Sequence, residues 1–177
     1  MEDVRQVDVR TGSNELIYIL EKLVGLHRGL VDLLREEYGH MTAVDVKGIS
    51  ETAQSKEAFL AEIWNHEQLR IKTVAKLAAA LSIADDKATL LAISEKLSAP
   101  ESEKLRAART ALNLLVEQAR DLNTKNMSFA QGSLDRIEQM KRNALGLNNT
   151  AAKENYSNSG NRQPITEQGG RLLSTEA

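Results

Sequence analysis

Three histidines, His27, His40 and His66, are the side chains of this 177-residue chain whose ordinary pKa suits proton transfer near neutral pH. His27 sits on an apolar helical row, where a phospho-accepting histidine of a helical phosphotransfer module would be a conceivable role. Such a site needs an exposed His followed at set spacing by Lys and Gly. The run Leu26-His27-Arg28-Gly29-Leu30 does not supply that pattern, and His27 reads as a partly buried structural residue. His66 with Glu62 or Glu67 does not form a Glu-x-x-His pair that recurs elsewhere, so a di-metal site in a bundle has no support. There is no cysteine, which removes thiolate zinc sites, disulfides and a Cys nucleophile. No glycine-rich phosphate loop precedes a helix, and no serine lies in a nucleophile-elbow context. The carboxylates are spaced for pairing with Lys and Arg on solvated helix faces. These residues call for no enzyme activity, no metal and no cofactor.

The elements that would carry these residues are helical. Hydrophobic residues make up 41% of the chain and aromatics 3%, with two prolines, so Leu, Ile, Val and Ala must build the core. The few prolines and the abundant Leu, Ala, Glu, Lys and Gln, which lose little rotamer freedom in a helix, favour long helices over a sheet. From Asn14 to about Tyr38, Leu16, Leu20, Leu23, His27, Leu30 and Leu34 recur at steps of four and three, with Ile17, Val24 and Val31 flanking them. Ser13 or Asn14 is the expected cap and Gly39 the expected stop. A second helix is expected from near Thr42 to Leu81, its seam running through Val46, Ile49, Ala53, Lys56, Leu60, Trp64, Glu67, Ile71, Val74 and Ala78. That seam contains one stutter between Leu60 and Trp64. After a short helix ending at Leu97, Ser98-Ala99-Pro100-Glu101 is a start signal: Ser98 caps, Glu101 reaches back and Pro100 lies in the first turn. The third long helix carries Leu105, Ala108, Leu112, Leu115, Ala119, Leu122, Asn126, Phe129, Ser133, Ile137, Met140 and Ala144 at heptad spacing.

The expected fold is all-α: an elongated antiparallel helical bundle or coiled-coil hairpin of three main helices with a disordered C-terminal tail. Residues 1–13 read as a flexible N-terminus, 14–146 as the helical bundle and 147–177, rich in Asn, Ser, Gly, Thr and Gln, as the disordered tail. The helices near 42–81 and 99–145 are expected to pair as a hairpin, with the shorter first helix against one end. Part of the third helix's seam would then stay open. Polar Lys56, Glu67, Asn126 and Ser133 interrupt the seams, either to fix register or because those stretches form a groove for an amphipathic helix.

A formal charge of −2 gives no bulk attraction to nucleic acid or to an anionic membrane. No apolar run reads as a signal peptide or a bilayer span, so the expected compartment is the cytoplasm, without membrane insertion.

Several segments in order carry a family likeness. The first helix ends in Leu33-Leu34-Arg35-Glu36-Glu37-Tyr38; the second holds Lys56-Glu57-Ala58-Phe59-Leu60 and Glu67-Gln68-Leu69-Arg70. The third holds Leu122-Asn123-Thr124-Lys125-Asn126-Met127-Ser128-Phe129 and Ser133-Leu134, and the tail Asn155-Tyr156-Ser157-Asn158-Ser159-Gly160. With these residues the chain resembles the FlgN family of flagellar export chaperones. The resemblance implies a protein that binds the C-terminal amphipathic helices of the hook–filament junction proteins FlgK and FlgL. It implies that premature association is prevented and that the cargo is delivered to the flagellar type III export gate. In the family the C-terminal part carries the substrate contacts and a tail tyrosine docks on the gate, which here matches Tyr156. The expected substrate face comprises Leu112, Leu115, Leu122, Asn126, Phe129, Ile137 and Met140. The other reading is a structural or regulatory coiled-coil protein that dimerises without an export role, and weak homo-oligomerisation is compatible with both.

Overall fold

The computed structural model describes residues 2–146. Four α-helices are present among them, α1 (Glu2–Ala43), α2 (Val46–Ala80), α3 (Leu90–Lys96) and α4 (Ala99–Ala144), with a 3-10 turn at Asp85–Lys87 and no strand. The chain divides into two compact units, Met1–Leu134 and Asp135–Ala177. The expected tail, with Tyr156, lies outside the described residues.

The first unit is organised around α1. Leu16, Leu20 and Leu23 are fully buried, and Ile17, Ile19, Val24, Leu30, Val31 and Leu34 are buried beside them. This row is wide enough to serve two neighbours at once. One is α2, which returns antiparallel: a Cβ on Gly12 would collide with Leu77, and one on Gly29 with the Phe59 ring. The two glycines are therefore notches that let the α1 and α2 backbones approach closely. The other neighbour is α4, which runs parallel to α1. Ser13 meets Glu101 near one end, and Leu34 and Glu37 meet Asn126 near the other.

This arrangement corrects the expected pairing. The close antiparallel pair is α1 with α2, rather than α2 with α4, and α1 is not the short helix. At 42 residues it exceeds the 35 of α2. Helix α1 also runs through its expected cap, for Ser13 is a buried interior residue whose Oγ lies 2.8 Å from Glu101 Oε1 and 3.0 Å from the Arg10 carbonyl oxygen. Nor does Gly39 end it. The helix closes at Val44, whose φ is 57°, with Val44 N–H donating to Met41 O and Asp45 N–H to His40 O. Those two bonds make a Schellman closure. The same closure recurs at Ser82 (φ 56°), where Ser82 N–H reaches Ala79 O and Ile83 N–H reaches Ala78 O. Asp45 caps α2 by accepting from Gly48 N–H at 3.1 Å. That bond foremost, and then His40 at 2.9 Å, hold the Asp45 carboxyl below its usual value.

The seam of α2 is also corrected. The inward row is Thr52, Lys56, Phe59, Ile63, His66, Arg70, Thr73 and Leu77, all buried or half-buried at alternating steps of four and three. It contains no stutter. Val46, Leu60, Trp64 and Ile71 point to solvent instead. Beyond α2, Thr89 caps α3 by accepting from Ala92 N–H, and α3 buries Ile93 and Ser94. Ser94 Oγ accepts from Arg106 Nε at 3.2 Å and so ties α3 to α4.

The start of α4 follows the expected pattern. Ser98 Oγ donates to Glu101 Oε2 at 2.6 Å, and Ser102 N–H makes the first helical bond to Ser98 O. The Ser98 hydroxyl is the main reason that the Glu101 carboxyl sits below its usual value. The Ser13 hydroxyl, Ser98 N–H and the Arg10 charge act in the same sense, against the opposing effect of burial.

Candidate partner-binding face

Helix α4 buries one row in the first unit: Leu105, Leu112, Ala119 and Asn126 recur every seven residues and are all buried. Leu115 and Leu122 are half-buried and pack against the cluster formed by Leu30, Val31, Leu34 and Ala119. Phe129 is half-buried with its ring edge-on to Tyr38, 5.4 Å between centroids at 66°. Five of the residues expected to face a partner, Leu112, Leu115, Leu122, Asn126 and Phe129, are thus engaged inside the bundle. The physical reason is the length of α1, which runs alongside α4 as far as Asn126 and Phe129.

Asn126 is the centre of a polar knot. Its Nδ2 donates to Leu34 O and to Glu37 Oε2, both at 2.8 Å, while Lys56 Nζ pairs with Glu37 Oε1. Leu34 O and the Glu37 carboxylate are acceptors, so the amide must turn its NH2 toward them. Its Oδ1 is buried without a partner. The knot joins α1, α2 and α4, the kind of register-fixing role weighed for Lys56 and Asn126. Glu37 was not singled out from sequence. It is the next position of the Leu row after Leu34, three residues on, and a Glu there reads as the point where the row passes into solvent. Ser133 bonds back to Phe129 O, and Glu67 pairs with Arg70 at 2.8 Å on α2.

The second unit begins at Asp135, and its described part is the last turns of α4. Ile137 and Met140 are three residues apart, hence on one side of the helix, and are 61% and 67% exposed. They occupy heptad positions. Leu145 is also exposed, and Gly146 ends the element at φ 67°. Arg142 pairs with Glu138 at 2.8 Å on this stretch.

The chemistry-bearing residues do not converge. His27 is buried, with Nδ1 2.8 Å from Leu23 O; His40 faces Asp45; His66 Nδ1 lies 2.9 Å from Glu62 O. Among the described residues no group of three His, Cys, Asp or Glu is placed to hold a metal ion. No helix among them is long and apolar enough to cross a membrane.

The model of the FlgN protein family matches residues 12–164. The chain belongs to the FlgN family. Membership points to a chaperone role in flagellar export. No curated protein and no solved structure matches the chain.

Proposed function

We propose that this FlgN-family chain is a cytoplasmic chaperone without catalysis of its own that binds the C-terminal amphipathic helices of FlgK and FlgL. The observation that carries the reading is the exposed Ile137 and Met140 at heptad positions near the end of α4. Apolar side chains at that spacing offer knobs to an incoming helix, and Met adapts its shape to more than one partner. Covering them removes apolar surface from water at about 25 cal/mol per Å². That is a modest driving force, consistent with a complex the export gate can take apart. Delivery to the gate would use Tyr156, and no bond of the cargo or the chaperone need break.

The test is calorimetry with FlgK and FlgL C-terminal peptides. Ile137 and Met140 are exposed, so the double variant Ile137→Ala/Met140→Ala should fold as the wild type does by circular dichroism. Its affinity should fall by about tenfold or more. Unchanged affinity in the folded variant would show that cargo binds elsewhere. Tyr156→Ala should leave peptide affinity intact while lowering secretion of FlgK and FlgL by flagellated cells.

A further inference from the structure

Helix α2 carries an outward face with no use in the fold. Leu60, Trp64 and Ile71 are each more than half exposed. At 3.6 residues per turn, Glu57, Leu60, Trp64, Gln68, Ile71 and Ala75 all lie within about 40° of the Trp64 direction. The row is therefore one continuous strip, centred on the only tryptophan of the chain. Isolated exposed apolar residues are ordinary; a Leu-Trp-Ile row along one face marks a contact.

Two charges along one edge of this strip identify what covers it. Glu57 and Lys72 are exposed and, among the described residues, neither has an ion-pair partner. They stand seven residues before and eight after Trp64, and both are turned to the same flank of the strip. We propose that two copies of this chain pair through α2, antiparallel, about a two-fold axis beside Trp64. A two-fold axis lying across the helices keeps each flank facing its own counterpart and reverses the chain direction. Glu57 then faces the partner's Lys72, and Lys72 the partner's Glu57. Leu60 comes beside the partner's Ile71, and the two Trp64 rings meet near the axis. A parallel pairing, whose two-fold axis runs along the helices, would instead exchange the flanks and leave each Glu57 and each Lys72 level with its own like, so that neither meets an opposite charge. The strip is self-complementary in one orientation only, as an isologous interface requires.

From residue 57 to residue 72 the strip runs about 23 Å at 1.5 Å per residue. One helix face of that length falls at the low end of interface sizes, below about 1,200 Å² in total, so the dimer is a transient one in the micromolar range or weaker. This inference goes beyond the export reading and does not depend on it. The residues concerned lie on a different helix from Ile137 and Met140.

The experiment is sedimentation equilibrium of the full chain over a concentration series, with Trp64 fluorescence followed in parallel. The wild type should pass from monomer to dimer, its emission shifting to the blue as Trp64 leaves water. Trp64→Glu should stay monomeric with unchanged helicity. Glu57→Lys and Lys72→Glu should each weaken association by roughly tenfold, since the pair occurs twice per dimer. The double variant Glu57→Lys/Lys72→Glu should regain wild-type association. A wild type that stays monomeric throughout, a dimer indifferent to Trp64→Glu, or a double variant that is not restored would overturn the proposal. So would a monomer whose Trp64 emission responds only to FlgK or FlgL peptide, since the face would then belong to the cargo. Ile137→Ala/Met140→Ala should leave the dimer unchanged, which separates this outcome from that of the cargo site.

Discussion

Replacing Lys56 by Met tests what the three-helix knot contributes. Lys56 Nζ and Glu37 Oε1 are in direct contact, with side-chain exposures of 20% and 13%. Two unit charges about 4 Å apart attract by about 4 kcal/mol at an effective dielectric near 20. Desolvation of both groups cancels part of that, and residual solvent access screens more. Lys56→Met keeps the aliphatic stem but leaves the nearly buried Glu37 carboxylate with Asn126 Nδ2 as its remaining donor in the knot. Removing one member of a fully buried pair costs about 3–5 kcal/mol, and an exposed pair about 0–1. The exposures here place the loss between these, at about 2 kcal/mol. For a chain of this size that lowers Tm by about 4–8 °C. The double variant Glu37→Met/Lys56→Met should recover most of the loss, because no charge then remains without a partner. Urea unfolding followed by circular dichroism reads both. Should Lys56→Met cost no more than Arg35→Ala, which removes the exposed Asp32 pair, the knot contributes no more than a surface ion pair and the reasoning fails.

Two further outcomes are expected. Val44 adopts φ 57° while 78% exposed, a backbone region that costs a β-branched residue about 1–2 kcal/mol. Val44→Gly should therefore stabilise the fold by about 0.5–1 kcal/mol after the added freedom of the unfolded chain, seen as a higher urea midpoint; a lower midpoint would show that the Val side chain is needed in the turn. Glu101 has a folded pKa below its ordinary 4.5, so the unfolded chain binds the proton more tightly. Its contribution is complete above about pH 4.5 and is lost as pH falls through the lower folded value. The stability gap between wild type and Glu101→Gln should be widest near neutrality and narrow below about pH 4.5; a gap independent of pH would contradict the Ser98–Glu101–Ser13 arrangement.

Much of the fold was legible because burial and heptad spacing coincide on two helices. On α1 each expected row member from Leu16 to Leu34 is buried, His27 included. On α4 the row from Leu105 to Asn126 is the inward one, and Ser98 with Glu101 marks its start. Helix ends were less legible. Gly39 and Ser13 have the residue types of a stop and a cap, yet both lie inside α1. Hydrogen bonds from Val44 and Asp45, and from Ser13 to Glu101, determine those places. Which of the expected face residues the bundle itself uses was not legible, since the heptad of α4 does not say how far α1 covers it. Within the first unit α1 reaches α4 as far as Phe129, whose ring packs on Tyr38.

Helix α2 shows why apolar spacing alone can choose the wrong face. It has two interleaved rows, and the more apolar one, through Leu60, Trp64 and Ile71, is the one exposed. The inward row holds Thr52, Lys56, His66, Arg70 and Thr73 among its members. Three constraints outweigh the transfer energy of the outer row. Phe59 fits against Gly29, Leu77 fits against Gly12, and Lys56 pairs with Glu37. Turning Leu60 and Trp64 inward would rotate all three out of contact and leave Glu37 with an unpaired charge. The stutter needed to draw a seam through Leu60 and Trp64 was the visible sign of this conflict, because the inward row keeps an unbroken alternation of three and four. An apolar row excluded from the core by such constraints remains exposed unless a second molecule covers it. On α2 the positions of Glu57 and Lys72 make another copy of the same helix the partner that fits.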